Sequence, residues 1–220
     1  MIRAYDQAID FVAELAPPSP VIFAPMVQIE PVNADQTLPT AALVIFTSAN
    51  AVRLYANKAQ HNGGVFCVGS VTTRVAVEFG FSISQTFETA ENLVTYFRNT
   101  ANGSTSILYP RAETISLDIA GELAGTGLHI TEAILYRQTF QPLSDEAMIL
   151  IESSPTLVPI LSKEIAKRFL WTITTLKPRD LMLVCISPSV AAIFADFNVK
   201  IAEKPTRAAL IKQVKTCLKM

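Results

Sequence analysis

"VIFTSANAVR" (44–53) and "VPILSKEIAK" (158–167) share one grammar, and reading them as a pair decides the fold. Each is a short apolar run, a serine, two polar or small residues, and then residues at helical spacing. In the first, Val44, Ile45 and Phe46 are β-formers suited to a buried strand. Ala49 to Tyr55 then alternates small, apolar and basic residues as a helix does. Thr47-Ser48 stands at the junction, where a hydroxyl caps a helix and leaves backbone N–H groups pointing outward. Proteins bind anions without a metal in the same way.

Two further pairs follow in the same order. "VFCVGSVTTRVAVEFGF" (65–81) matches "LMLVCISPSVAAIFADF" (181–197), and "TAENLV" (89–94) matches "TRAALI" (206–211). The offset is 114 from Ser48 to Ser162, 118 from Gly69 to Ser187 and 117 from Thr89 to Thr206. One nearly constant offset points to two similar domains, and the period is too long for a solenoid. Strands are expected at 20–24, 43–47, 65–68, 105–109, 129–134, 156–161 and 181–186. Helices are expected at 4–15, 49–59, 71–79, 90–99, 113–124, 163–171, 189–196 and 206–218. Such alternation marks an α/β protein whose parallel sheets carry helices on both faces.

In open α/β sheets, ligands bind beyond the carboxyl ends of the strands, near helix N-termini. Every repeated hydroxyl cluster falls at such an end: Thr47-Ser48, Ser70 to Thr73, Ser162, and Ser187-Pro188-Ser189. One cluster alone reads as an ordinary helix cap. Four matched clusters favour a shared ligand, held where two facing domains would form a cleft.

Composition narrows what that ligand can be. The net charge is −1, which argues against nucleic acid as the main partner and leaves room for an anionic small molecule. Half the residues are hydrophobic and 17% are charged, enough to build sizeable cores rather than a disordered chain. Cys67, Cys185 and Cys217 are odd in number and unpaired in spacing, and the first two lie inside apolar runs. They read as reduced, core-packed thiols. His61 and His129 are the only histidines, so a His-rich metal site is ruled out. No apolar run reaches the ~18–20 residues that span a membrane. "MIRAYDQAIDFVAEL" carries Asp6, Asp10 and Glu14 in an amphipathic pattern rather than a signal peptide's apolar block. The chain is expected to be soluble and cytoplasmic, with no membrane partner. No Gly-x-Gly-x-x-Gly or P-loop pattern occurs, and Gly125-Thr126-Gly127 reads as a helix stop, which disfavours a nucleotide or phosphosugar enzyme.

At this point a family resemblance enters, carried by short motifs across nearly the whole chain. "APMVQIEP" (24–31), "FTSANAV" (46–52), "VGSVT" (68–72), "ILYPRAE" (107–113), "EAILYRQT" (132–139), "ILSKEIAKRF" (160–169) and "ISPSVA" (186–191) stand in order. Together they resemble the uroporphyrinogen-III synthase family. The resemblance implies two flavodoxin-like, parallel-sheet α/β domains, one inserted in the other and joined by a two-stranded linker. Residues 1–26 with 141–220 would form the first domain, 31–133 the second, and 27–30 with 134–140 the crossover strands about which a cleft opens and closes. The chain departs from the pattern in places. Arg3 matches the arginine of the family's first Thr-Arg-Pro strand, so that strand is expected to be nearly absent, or translation to begin upstream. Ala112, Lys163-Glu164 and Ser187 replace residues common in the family, which keeps a degenerate, inactive homologue in view.

The implied substrate is hydroxymethylbilane, a linear tetrapyrrole with eight carboxylates. It loses its hydroxyl as water and closes with the last pyrrole inverted, giving uroporphyrinogen III. The same molecule closes unaided to the non-inverted isomer I, so orientation is the main task, and no cofactor or metal is implied. Backbone N–H groups after Thr47, Gly69, Ser162 and Ser187 are expected to hold carboxylates. Ser48, Ala49, Ser70, Thr72 and Ser189 stand beside them, and Arg111 and Lys163 are either supplements or exposed solubility residues. Spreading the anion over helix N-termini suits a net charge near zero. Tyr136, in a Tyr-x-x-Thr motif on a crossover strand, is the expected proton donor to the leaving hydroxyl, the alternative being a phenol packed at the hinge. An unperturbed phenol stays protonated at neutral pH. A monomer is expected. The competing class is a non-catalytic two-domain binder of an anionic metabolite.

Overall fold

A computed structural model describes residues 1–2, 5–33, 35–59, 61–101 and 104–219. Arg3, matched above to the family's first arginine, lies outside the described residues, as does Ala4 at the start of the expected first helix. Contacts divide the chain into two compact units, Met1–Gln28 with Thr139–Met220, and Ile29–Gln138. Helix α1 (Tyr5–Leu15) belongs to the first unit, and β1 (Val27–Pro31) takes the chain into the second. There follow β2 (Leu43–Phe46), α2 (Ala49–Ala56), β3 (Gly64–Val68), α3 (Ser70–Glu78), β4 (Ile83–Phe87) and α4 (Ala90–Thr100). Next come β5 (Ser106–Ala112), the short α5 (Ile119–Glu122) and β6 (His129–Phe140), which leads back. The first unit resumes with α6 (Asp145–Ser153), β7 (Pro155–Ile160), α7 (Lys163–Ile173), β8 (Asp180–Cys185) and α8 (Pro188–Ala191). It ends with β9 (Asn198–Ile201) and α9 (Arg207–Cys217).

Two sheets result, one of order β1-β6-β5-β2-β3-β4 and one of order β7-β8-β9. β2 pairs in parallel with β3 and with β5, and β7 pairs in parallel with β8. Parallel strands are covered on both faces, so they read as unbroken apolar runs. β2 shows this: Val44 and Phe46 pack on one side with Val52, Tyr55 and Val75. Ile45 packs on the other with Phe66, Leu93, Phe97 and Ile107. Phe46 is fully buried and meets the Tyr55 ring edge-on at 5.4 Å. Cutting it to alanine would cost about 3–5 kcal/mol. In the first unit, Phe11 and Leu15 of α1 join Leu210, Ile211 and Val214 of α9 over Val184 of β8.

The internal duplication appears as register. Phe46 pairs with Cys67 and Ile160 with Cys185. Each pair lies two residues before its hydroxyl junction, Ser48 with Gly69 and Ser162 with Ser187. Thr89 and Thr206 cap α4 and α9 alike, accepting from Asn92 N and Ala209 N.

Three expectations need correction. Residues 20–24 form no strand; prolines crowd the run, which meets the N-terminus instead, Ala24 N donating to the Met1 carbonyl (2.9 Å) and the Met1 amino group to the Ile22 carbonyl (2.6 Å). The helix expected over 113–124 shrinks to α5, because Asp118 starts it and Gly121 and Gly125 weaken its continuation. The helix expected over 189–196 is one α turn followed by a 3-10 turn at Ala192–Phe194. β4, β9 and α6 were not expected. The α/β class with parallel sheets stands. Among the described residues, no helix is long and apolar enough to cross a membrane, and no three His, Cys, Asp or Glu side chains group to hold a metal ion.

Candidate active site

In the unit of residues 29–138, β2 and β3 end side by side, so Thr47-Ser48 and Gly69-Ser70 emerge at the same edge of the sheet. Ser48 is the N-cap of α2, with extended backbone (φ −151°, ψ 136°), and its Oγ accepts from Asn50 N at 3.1 Å. Gly69 caps α3 with φ +83°, a conformation that favours glycine. It offers no side chain of its own, while its carbonyl accepts from Thr73 Oγ1 at 3.1 Å. Ala49 is half-buried and Ser70 exposed, whereas Thr72 is buried.

Tyr136 reaches this edge because β6 slips against β5. Arg111 pairs with Ile134, but Ala112 pairs with Tyr136, so Leu135 is the extra residue of a bulge. A bulge re-aims the side chains beyond it. Leu135 and Tyr136, though adjacent, are both buried in the same core. The Tyr136 hydroxyl donates to Ser48 Oγ at 2.8 Å. The phenol is only 2% exposed, and burial lifts its pKa above the usual 10, opposed by its bond to Ser48.

Beside it, the Tyr109 hydroxyl and Thr47 Oγ1 lie 3.2 Å apart, either able to donate. Burial also lifts the Tyr109 phenol above 10. Tyr109, within "ILYPRAE", is a site-edge residue beyond those expected from sequence. Its position two residues before Arg111 on a buried strand was the available signal. Asn50 was missed too: it is 5% exposed and its Nδ2 has no partner among the described residues.

Arg111 is not idle. Its Nε donates to Glu132 Oε1 at 2.7 Å and its Nη2 to Glu132 Oε2 at 3.2 Å. Its Nη1 donates to the carbonyls of Ala112 (2.7 Å) and Glu113 (3.1 Å). With its side chain 13% exposed, this guanidinium ties the end of β5 to β6.

The unit containing residues 139–220 repeats the arrangement. Ser162 caps α7, its Oγ accepting from Ile165 N at 3.3 Å. Lys163 is exposed at the first helical position, beside a Glu164–Arg168 pair at 3.2 Å. Ser187 precedes the four-residue α8 without a side-chain cap bond, and its Oγ lies 3.1 Å from Ser189 Oγ. The structure thus gathers Thr47, Ser48, Ala49, Gly69, Ser70 and Tyr136 in one unit, and Ser162, Lys163, Ser187 and Ser189 in the other.

Comparison with known proteins points one way. The family model described as uroporphyrinogen-III synthase HemD matches residues 20–212. The fold is similar to the uroporphyrinogen-III synthetase of Helicobacter pylori, at 16% identity over 91% of this chain and 93% of that one, with a TM-score of 0.61. It is also similar to a mutant uroporphyrinogen III synthase of the extremely thermophilic bacterium Thermus thermophilus, at 14% identity over 100% and 99% of the two chains, with a TM-score of 0.55. At such identities these two structures speak for the fold alone. No curated protein matches the chain by sequence.

Proposed function

The chain belongs to the uroporphyrinogen-III synthase family, cyclising lyases of tetrapyrrole biosynthesis, and from that premise we propose how its own residues serve the reaction. The substrate is hydroxymethylbilane. Its electron-rich pyrroles expel the hydroxyl as water, and ring closure follows with inversion of the last pyrrole. The N–H groups opening α2 and α3 hold acetate and propionate groups in one unit, with the Thr47 and Ser70 hydroxyls beside them. The junctions at Ser162 and Ser187, with Lys163 and Ser189, supply the same kind of donor in the other. Holding the chain in one conformation favours the inverted closure over the spontaneous one. Arg111 supports the site by fixing β5 against β6, and Tyr136 serves the departure of the hydroxyl.

The observation that carries this reading is the 2.8 Å bond from Tyr136 to Ser48. It joins the strand that leads out of this unit to the capped N-terminus of α2, to which a substrate carboxylate is assigned above, and packing alone would be met as well by a phenylalanine. The test is product analysis. Fresh hydroxymethylbilane with the wild-type protein gives isomer III, while Tyr136→Phe gives it at least severalfold more slowly with an unchanged melting curve. Isomer I alone from the wild type would leave only an anion binder. An unaltered rate in the variant would remove Tyr136 from the chemistry.

A further inference from the structure

Ser48 Oγ has two acceptor sites, and both are taken. It accepts from Asn50 N at 3.1 Å and from the Tyr136 hydroxyl at 2.8 Å. A serine hydroxyl carries one proton and two lone pairs. With both lone pairs filled, Ser48 can act toward anything outside only as a donor, and its proton has no acceptor among the described residues. The side chain is half-buried, so that proton has access to a ligand. Tyr136 is in the opposite position. It is 2% exposed, and its single proton is committed to Ser48. The phenol therefore meets a substrate only through Ser48.

We propose that Ser48 is the catalytic residue that touches the leaving hydroxyl, and that Tyr136 is a positioning residue behind it which also resupplies its proton. This rests on the tetrapyrrole reading above. As the carbon–oxygen bond breaks, the Ser48 proton passes to the departing oxygen and water leaves. The Tyr136 proton moves to Ser48 Oγ, and the pyrrole nitrogen lone pair fills the electron gap, leaving an azafulvene cation and a phenolate. When the last pyrrole has closed on that cation and regains aromaticity, the proton it sheds returns through Ser48 to Tyr136. One proton enters, one comes back, and the substrate has lost one water. Burial raises the Tyr136 phenol above 10. The phenol therefore holds its proton at neutral pH until the departing oxygen draws on it through Ser48.

The arrangement also explains why a serine suits the junction. Its Oγ caps α2 by accepting from Asn50 N, while its own proton stays free.

Four proteins test the relay on hydroxymethylbilane: wild type, Tyr136→Phe, Ser48→Asn and the double variant. Asparagine keeps a side-chain oxygen to cap α2 but has no hydroxyl to pass a proton, so the fold survives where Ser48→Ala could weaken it. General acid assistance is worth about 10²-fold or more, and Ser48→Asn is expected to lose about that in kcat for isomer III, with KM little changed. Tyr136→Phe loses less. The double variant matches Ser48→Asn, because Tyr136 acts only through Ser48. The wild-type rate in mixed light and heavy water bends with deuterium content, as two moving protons require, and straightens in Tyr136→Phe. Losses that multiply in the double variant, a full rate in Ser48→Asn, or an unbent wild-type plot would each overturn the relay while leaving the enzyme intact. Wild-type protein yielding isomer I alone would remove the tetrapyrrole reading and the relay with it.

Discussion

Asn50 sits on the first turn of α2, almost wholly buried, with an amide nitrogen that bonds to nothing described. Such an orphan costs about 1–3 kcal/mol relative to a satisfied or apolar side chain, and native proteins rarely keep one without a use. Leucine has nearly the same shape. Asn50→Leu is therefore expected to raise the urea midpoint and to slow formation of isomer III. A variant that gains stability and keeps its rate would show the amide to be idle. At this scale the sequence disclosed what depends on neighbours. Ser48 and Ser162 were legible as helix caps because a cap needs only a hydroxyl and a following helical pattern. The bonds of Tyr136 to Ser48 and of Arg111 to Glu132 were not legible, since they close over 88 and 21 residues and depend on strand register.

Gly69 distinguishes one strand–helix junction from the other three. Ser48, Ser162 and Ser187 enter their helices with extended φ of −151°, −147° and −155°, while Gly69 enters at +83°. A Cβ added at Gly69 would meet no atom within 4 Å, so a substitution there strains the backbone without a clash. Gly69→Ala is expected to cost about 1–2 kcal/mol, seen as a lower urea midpoint with an unchanged slope. An unmoved midpoint would mean that the junction relaxes to the extended form of its counterpart, Ser187. Elements were legible in proportion to their own periodicity. β2, β3 and α4 are apolar runs or clear helical stripes. β4 ("ISQTF") has three exposed residues in its five, and β9 ("NVKI") is also largely exposed, so neither shows a buried pattern. The long helix expected after Glu113 failed for a local reason, because glycines break the stripe that Ile119 and Leu123 begin.

Cys67 and Cys185 stand 118 residues apart, the same offset as Gly69 and Ser187, and each is fully buried near the end of the middle strand of its (βα) repeat. Burial raises both thiols from 9.0 to about 11. In the unfolded chain a thiol gives up its proton near 9, while in the folded protein it holds the proton until about 11. The folded state therefore binds more protons than the unfolded state across that window, and stability falls as pH rises through it. Below pH 9 neither state ionises these groups and stability is flat on their account. Tyr55, Tyr109 and Tyr136, all held above 10 mainly by burial, add to the loss at the upper end. Because the two thiols lie in different units, both halves of the molecule share this weakness. The melting temperature is expected to hold from neutral pH to about 9 and to drop steeply towards 11. In the double variant Cys67→Ala/Cys185→Ala, the melting temperature starts lower through lost packing, yet its fall across the same window is shallower. An equal slope in the two proteins would mean that the phenols alone, or charge repulsion over the whole chain, drive alkaline unfolding.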